Sequence, residues 1–300
     1  GYAEYPFVKA TLLQNLTGSQ ETDNSVARPA VGSLLHLSDR LGPYKPALHF
    51  RIGSFWLALG TRDEARKPFA VTLADSINYA RPVFGLLWSS VDDMNDLQHL
   101  VGGSALSRSL LVGFLLEHGY SEEAESVFKS VASLKTLDYT TVDALIDYAM
   151  KTRKPEEARL LLSKIKLNEG KLNSFQETRL RYLKGQSYYV EGRLQEAIAA
   201  YEDAIRYDTE DSYVHEALGN AYQESGDYDR AIARYLHVLN RVGRLLDPKK
   251  VSNLHSELAV AYEKNQDYAR AIEHYLKAAE IDPSNLEAQK RASELSIKHL

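Results

Sequence analysis

The 300-residue sequence contains no cysteine, which excludes structural disulfides, thiol nucleophiles and cysteine-ligated metals together. It has no apolar run near the roughly 18 residues that span a bilayer. The longest candidate, 109–116, is flanked by Arg108 and Glu117. A basic excess is also missing: 36 Lys and Arg stand against 41 Asp and Glu, a formal charge of −5, which argues against a nucleic-acid partner. Neither a GxxxxGK[ST] nor a GxGxxG phosphate loop occurs, and the nine histidines form no HExxH or other metal-ligand spacing. Gly102-Gly103-Ser104 does not complete a GxSxG nucleophile elbow; it reads as a loop ending in an N-cap serine. No catalytic residue, metal ligand or cofactor is therefore assigned.

What is present is the composition of a soluble, well-packed protein, 44% hydrophobic and 26% charged. Residues 1–150 hold 12 Lys/Arg and 17 Asp/Glu, residues 151–300 hold 24 of each, so two regions of different character are expected. The start at Gly1, without methionine or a signal-peptide pattern, reads as a cut fragment or mature product.

Self-similarity organises the chain. Ala197, Ile198, Tyr201 and Ala204 recur 34 residues later as Ala231, Ile232, Tyr235 and Val238, and after a further 40 as Ala271, Ile272, Tyr275 and Ala278. Tyr188, Tyr222 and Tyr262 precede these alanines by nine residues; Gly185, Gly219 and Ala259 precede them by twelve. Between lie Glu191-Gly192-Arg193, Ser225-Gly226-Asp227 and Asn265-Gln266-Asp267, short polar breaks with turn chemistry. Each unit is thus a helix, a tight turn and a second helix. Small residues let paired helices approach, and tyrosine and leucine fill the space beside them. A lone hairpin cannot bury that face, so the units must stack.

These residues resemble the tetratricopeptide repeat (TPR) over 178–211, 212–245 and 252–285, with 246–251 as an insertion. Asp282-Pro283 closes the last repeat in the family manner, whereas Thr209 stands where the first would carry proline. The resemblance implies an all-α, TPR-like helical-hairpin solenoid forming a right-handed superhelix. Following the phase upstream gives degenerate copies at Ala158 with Leu162 and Ile165, at Ala124 with Phe128 and Val131, and at Ala65 with Gly53, Trp56, Gly60 and Phe69. The expected organisation is N-terminal helices in 1–45 (6–16 and 29–41, joined by a polar connector at 17–27) and degenerate repeats in 46–177. A non-repeat helical insert at 80–104 interrupts the latter. Three well-formed repeats follow in 178–285. At 286–300, Leu286, Ala288, Ala292, Leu295 and Ile297 mark a C-terminal capping helix. Prolines 29, 46, 82 and 248 are expected in first turns, and Asp247 as an N-cap. The pairs Asp92-Asp93, Glu122-Glu123 and Glu156-Glu157 fall at helix starts, where the macrodipole favours them. His215 and His255 share one repeat position and read as packing residues. Asn15-Leu16-Thr17 is formally a glycosylation sequon.

In TPR proteins the first helix of each hairpin lines a concave groove. Carried onto this chain, the resemblance implies Arg179, Tyr182, Gln186, Tyr189 and Val190, then Tyr213, Glu216, Asn220, Gln223 and Glu224, then Asn253, Ser256, Val260, Glu263 and Lys264. Of the Lys/Arg/Asn set that clamps a C-terminal carboxylate in chaperone-binding TPR domains only Asn220 is present, and the neighbouring glutamates repel an anion. The aromatic and polar mixture suits an extended peptide or partner helix instead. Self-association through the capping helix or the apolar N-terminal part stays open.

A second resemblance concerns residues 1–130. The run 46–65, then Arg81-Pro82-Val83-Phe84-Gly85-Leu86-Leu87-Trp88 and 110–124, is similar to the periplasmic TPR tail of bacterial O-antigen ligase or polymerase-type membrane proteins. It implies an extracytoplasmic accessory region, with a cytoplasmic setting as the alternative. The expectation is a non-catalytic scaffold binding a partner protein or peptide. The alternative class is the substrate-recruiting repeat region of a soluble glycosyltransferase such as an O-linked N-acetylglucosamine transferase.

Overall fold

The computed structural model describes residues 24–41, 45–91, 93–165, 172–242 and 247–299. The expected helix at 6–16 and the sequon Asn15-Leu16-Thr17 lie outside them. The described residues form sixteen α-helices and one 3-10 turn, in two compact units, Gly1–Tyr148 and Ala149–Leu300.

In the first unit α1 (Asn24–Leu41) precedes a hairpin of α2 (Pro46–Ala58) and α3 (Arg62–Asp75). Pro29 lies inside α1, a correction to its expected place in a first turn, and α1 takes in residues 24–27 of the expected connector. A proline removes only its own N–H bond and crowds the carbonyl one turn back, so a helix beginning shortly upstream tolerates it. Pro46 does open α2, Pro82 lies in the first turn of α4, and Pro248 opens the helix that Asp247 caps. The insert at 80–104 forms two short helices, α4 (Ala80–Trp88) and α5 (Met94–Val101). They are bounded by N-caps at Asp93 and Ser104, which accept from the backbone N–H of Asp96 and Ser107 at 2.9 and 3.0 Å. Phe84 packs 5.5 Å from Phe114, tying α4 to the next hairpin, α6 (Ala105–Glu117) and α7 (Ser121–Ala132). Helix α8 (Tyr139–Lys151) follows.

The second unit runs through α9 (Pro155–Ser163) into three hairpins. These are α10 (Ser174–Val190) with α11 (Leu194–Ile205), α12 (Ser212–Glu224) with α13 (Tyr228–Val242), and α14 (Pro248–Lys264) with α15 (Tyr268–Ile281). Asn173 and Gln176 form a reciprocal capping box at the start of α10, at 2.9 and 3.1 Å. The last helix, α16 (Leu286–His299), lays Ala288, Ala292 and Leu295 on α15. Leu286 and Ile297, expected in the same apolar face, are 70% and 87% exposed. At 100° per residue they fall off the stripe that the other three define.

All six repeat-phase alanines, 65, 124, 158, 197, 231 and 271, are fully buried. Five residues before each, the backbone turns through positive φ at Gly60, Gly119, Arg153, Gly192, Gly226 and Gln266. Four of these are glycines, which carry no β-carbon to clash in that conformation. Gln266 holds φ 64° with a side chain, a left-handed conformation costing roughly 1–2 kcal/mol. Gln266→Gly should therefore stabilise the last hairpin by about 0.5–1 kcal/mol after its extra chain entropy. Thermal melts check this, and an unchanged or lower midpoint refutes it.

The helices pair closely where the residue twelve before the phase alanine is small, as at Gly53, Gly185, Gly219 and Ala259; Val112 and Ile146 hold that place before Ala124 and Ala158. A β-carbon on Gly219 would lie 2.8 Å from Tyr235 Cε1, one on Gly53 2.7 Å from Phe69 Cε1, and one on Gly185 inside contact of the Tyr201 ring. Tyr201, Tyr222, Tyr235, Tyr262 and Tyr275 are buried together in the core of the three hairpins.

Candidate functional site

The first helices of the three hairpins, α10, α12 and α14, carry the implied groove residues. Tyr182, Gln186, Tyr189, Val190, Tyr213, Glu216 and Asn220 come together around a cavity of about 320 Å³, joined by Met150, Tyr201, Ala217 and Lys250. Asn253, Ser256, Val260, Glu263 and Lys264 line a second of about 420 Å³, with Glu257, Tyr275, Asn285, Glu287, Ala288 and Arg291. Arg179, Gln223 and Glu224 line neither. Arg179 stands 5.7 Å over the Tyr182 ring, Gln223 is half-buried, and Glu224 accepts from the Tyr189 hydroxyl.

Hydrogen bonds hold much of this surface. Gln186 Nε2 donates to the Tyr182 hydroxyl at 2.7 Å. The Tyr235 hydroxyl donates to Asn220 Oδ1 at 2.6 Å, so Asn220 is tied to the core as well as facing the groove. Lys250 pairs with Glu216, and Arg291 with Glu263. The Tyr275 hydroxyl also reaches Glu263, at 3.1 Å. Asn285 Nδ2 donates to the Ser256 hydroxyl at 3.1 Å. Tyr213, 69% exposed, is an aromatic face offered to solvent.

Burial pushes the phenols of Tyr182, Tyr189, Tyr201 and Tyr235 up, with Glu224 adding to the effect at Tyr189. Burial beside Glu263 raises Tyr275 to about 12. All five remain protonated near neutral pH, and Tyr189, Tyr235 and Tyr275 donate to Glu224, Asn220 and Glu263. Burial, with Glu216 nearby, pushes the Glu257 carboxyl up to about 7 against the pull of Lys250.

Glu257, Lys250 and Arg291 escape the groove pattern. Lys250 comes from the first turn of α14 and Arg291 from α16, outside the motif positions. Glu257 stands where the other two repeats have Leu183 and Ala217, a departure from the chain's own repeat that is visible in the sequence.

The histidines pack on one another. His215 is buried and stacks on His237 at 3.9 Å, and its Nε2 lies 2.9 Å from the Thr209 carbonyl. His255 and His274 meet through Nδ1 at 3.0 Å. Among the described residues no group of three or more His, Asp or Glu could hold a metal ion. No helix among them is long and apolar enough to cross a membrane.

Residues 208–284 match the tetratricopeptide repeat family, and residues 185–226 match a TPR repeat model. The likeness of residues 1–130 to O-antigen ligase tails gains no support from these matches, which lie wholly within 185–284. No curated protein matches the chain. Among solved structures, it is similar to the C-terminal part of a TPR repeat-containing protein from Cytophaga hutchinsonii. That likeness has a TM-score of 0.52 at 13% identity and covers 97% of this chain and 98% of that one. YrrB, described as a TPR protein with an unusual peptide-binding site, gives a TM-score of 0.46 at 17% identity, over 62% of this chain and 91% of its own. MamA from Desulfovibrio magneticus RS-1 gives 0.46 at 15%, over 53% and 84%. The Cytophaga likeness supports an all-α solenoid fold along the chain, and the family matches identify residues 185–284 as tetratricopeptide repeats.

Proposed function

We propose that the chain is a non-catalytic protein-interaction scaffold whose α10–α12–α14 face holds an extended segment of a partner protein. The observation that carries this reading is the cavity walled by Tyr182, Tyr189 and Tyr213 with hydrogen-bonding Gln186, Glu216 and Asn220 between them. Aromatic faces supply contact area, and the side-chain donors and acceptors fix a peptide's direction. The finer placement, as an extracytoplasmic part of a bacterial envelope protein, rests on the resemblance of residues 1–130. A glycosyltransferase's substrate-recruiting region would use the same face.

A photo-crosslinking residue at position 213 should join a partner polypeptide in the source cells, whereas one at Leu276, 55% exposed on α15, should not. Tyr189→Ala, with the crosslinker kept at position 213, should cut that adduct by about tenfold while leaving the helical circular dichroism unchanged. Equal capture at both positions, or none at 213, overturns the groove assignment.

A further inference from the structure

We propose a second binding site: a trough floored by α10 and walled by α9 and α11 takes an amphipathic helix of a partner protein, its apolar stripe flanked by Asp or Glu. The trough shares no residue with either groove cavity, so this site stands apart from the groove reading.

At about 740 Å³ the trough exceeds both groove cavities. Its floor is a stripe of α10 from Glu177 through Leu180, Arg181 and Lys184 to Tyr188. That spacing of threes and fours follows one side of the helix for about 16 Å. Leu162 of α9 and Ala199 and Ala200 of α11 complete the apolar surface. The chain's own repeat explains why the space is there. Three residues after the phase alanines stand Ala200, Arg234 and His274. In the later two hairpins these side chains reach across to the first helix. Arg234 Nη1 comes within 3.5 Å of His215 Nδ1, and His274 Nδ1 within 3.0 Å of His255 Nδ1. His215 and His255 hold the repeat position of Arg181. Ala200 offers only a methyl group, so the first hairpin keeps a trough where its successors are filled by their own side chains. Three turns long and lying between two helices, it suits a helix that presents residues at i, i+3, i+4 and i+7.

Charge complementarity decides what flanks that stripe. The carboxylates around the trough are already held by arginines: Glu177 and Asp203 by Arg181, Glu191 by Arg159, and Glu196 by Arg193. Arg206 reaches Asp203 as well, at 3.5 Å. Lys184 is exposed midway along the floor, and its ammonium has no ion pair or hydrogen bond among the described residues. One cation is therefore left over, and an incoming carboxylate gives it a charge-assisted bond. Arg206, 76% exposed at one end of the trough, extends the same preference. A lysine-flanked helix meets both cations and finds every carboxylate engaged.

The test is fluorescence anisotropy of the full chain with pools of hydrocarbon-stapled helices of about 14 residues. Each pool carries a Leu/Ala stripe, glutamate, glutamine or lysine beside it, and varied residues elsewhere. A photo-crosslinking residue at Ala199, exposed on α11, locates capture. Glutamate pools should bind about fivefold tighter than glutamine pools at low salt, with lysine pools weakest. Added salt should shrink that advantage. Lys184→Gln should bring the glutamate pools to the glutamine level. Ala200→Arg, which copies the side chain that the next hairpin holds at this place, should weaken every pool by about tenfold with helical circular dichroism unchanged. Equal binding of glutamate and glutamine pools, or capture that survives Ala200→Arg, overturns the proposal. So does a missing crosslink at position 199, or equal binding of proline-broken versions of the same peptides. Crosslinking at position 213 decides the groove reading separately.

Discussion

Tyr235→Ala should lower the unfolding free energy of the repeat array by about 3–5 kcal/mol. The ring is fully buried and fills the space that Gly219 leaves open beneath it, so truncation leaves a cavity that two close-packed helices cannot easily collapse. The lost hydroxyl also strips Asn220 Oδ1 of its 2.6 Å donor. Tyr235→Phe separates the two effects: it keeps the volume and should cost only about 1 kcal/mol for the bond. Urea melts give both numbers, and hydrogen exchange should show protection lost first in α12 and α13, whose interface the ring fills. A cost for Tyr235→Ala near that of the phenylalanine variant would show that the hairpin repacks around the void. The close approach at Gly219 would then not be what positions α12 and its groove residues.

That coupling explains why so much of the scaffold was legible. A hairpin of packed helices needs a small residue at the phase alanine, a large one beside it and a left-handed turn between, and chemistry permits few residues at those places. Ala65, Ala124 and Ala158 consequently mark buried positions as surely as Ala197, Ala231 and Ala271 do, although the residues around them have drifted. The ends of the pattern were less legible. Pro29 sits within a helix because α1 begins five residues before it, and Ile297 is exposed because it lies opposite the stripe of Ala288, Ala292 and Leu295. Groove positions follow from repeat geometry, so Tyr182, Gln186 and Asn220 were found together. Their partners were not, since Lys250 and Arg291 arrive from outside the repeat motif and hydrogen bonding has no period. Asn220 shows the limit of assignment by position: it faces the groove and also anchors a core tyrosine.

Glu257→Gln should stabilise the unliganded protein by about 2–3 kcal/mol more near pH 8 than near pH 5. In the folded chain the carboxyl titrates at about 7, whereas the unfolded chain ionises in the ordinary glutamate range. Folding therefore holds a proton that the unfolded state releases. The group's contribution is most favourable below the ordinary glutamate pKa and is lost as pH rises through 7. The histidines act with the opposite sign. Burial keeps His215, His255 and His274 below the usual imidazole range, His255 at about 4, so their contribution is present above that range and is lost as pH falls towards 4. Subtracting the parent's melts from those of Glu257→Gln at each pH cancels the histidines and isolates the carboxylate. A difference that does not change with pH would mean that Glu257 ionises normally in the fold, its burial beside Glu216 offset by Lys250.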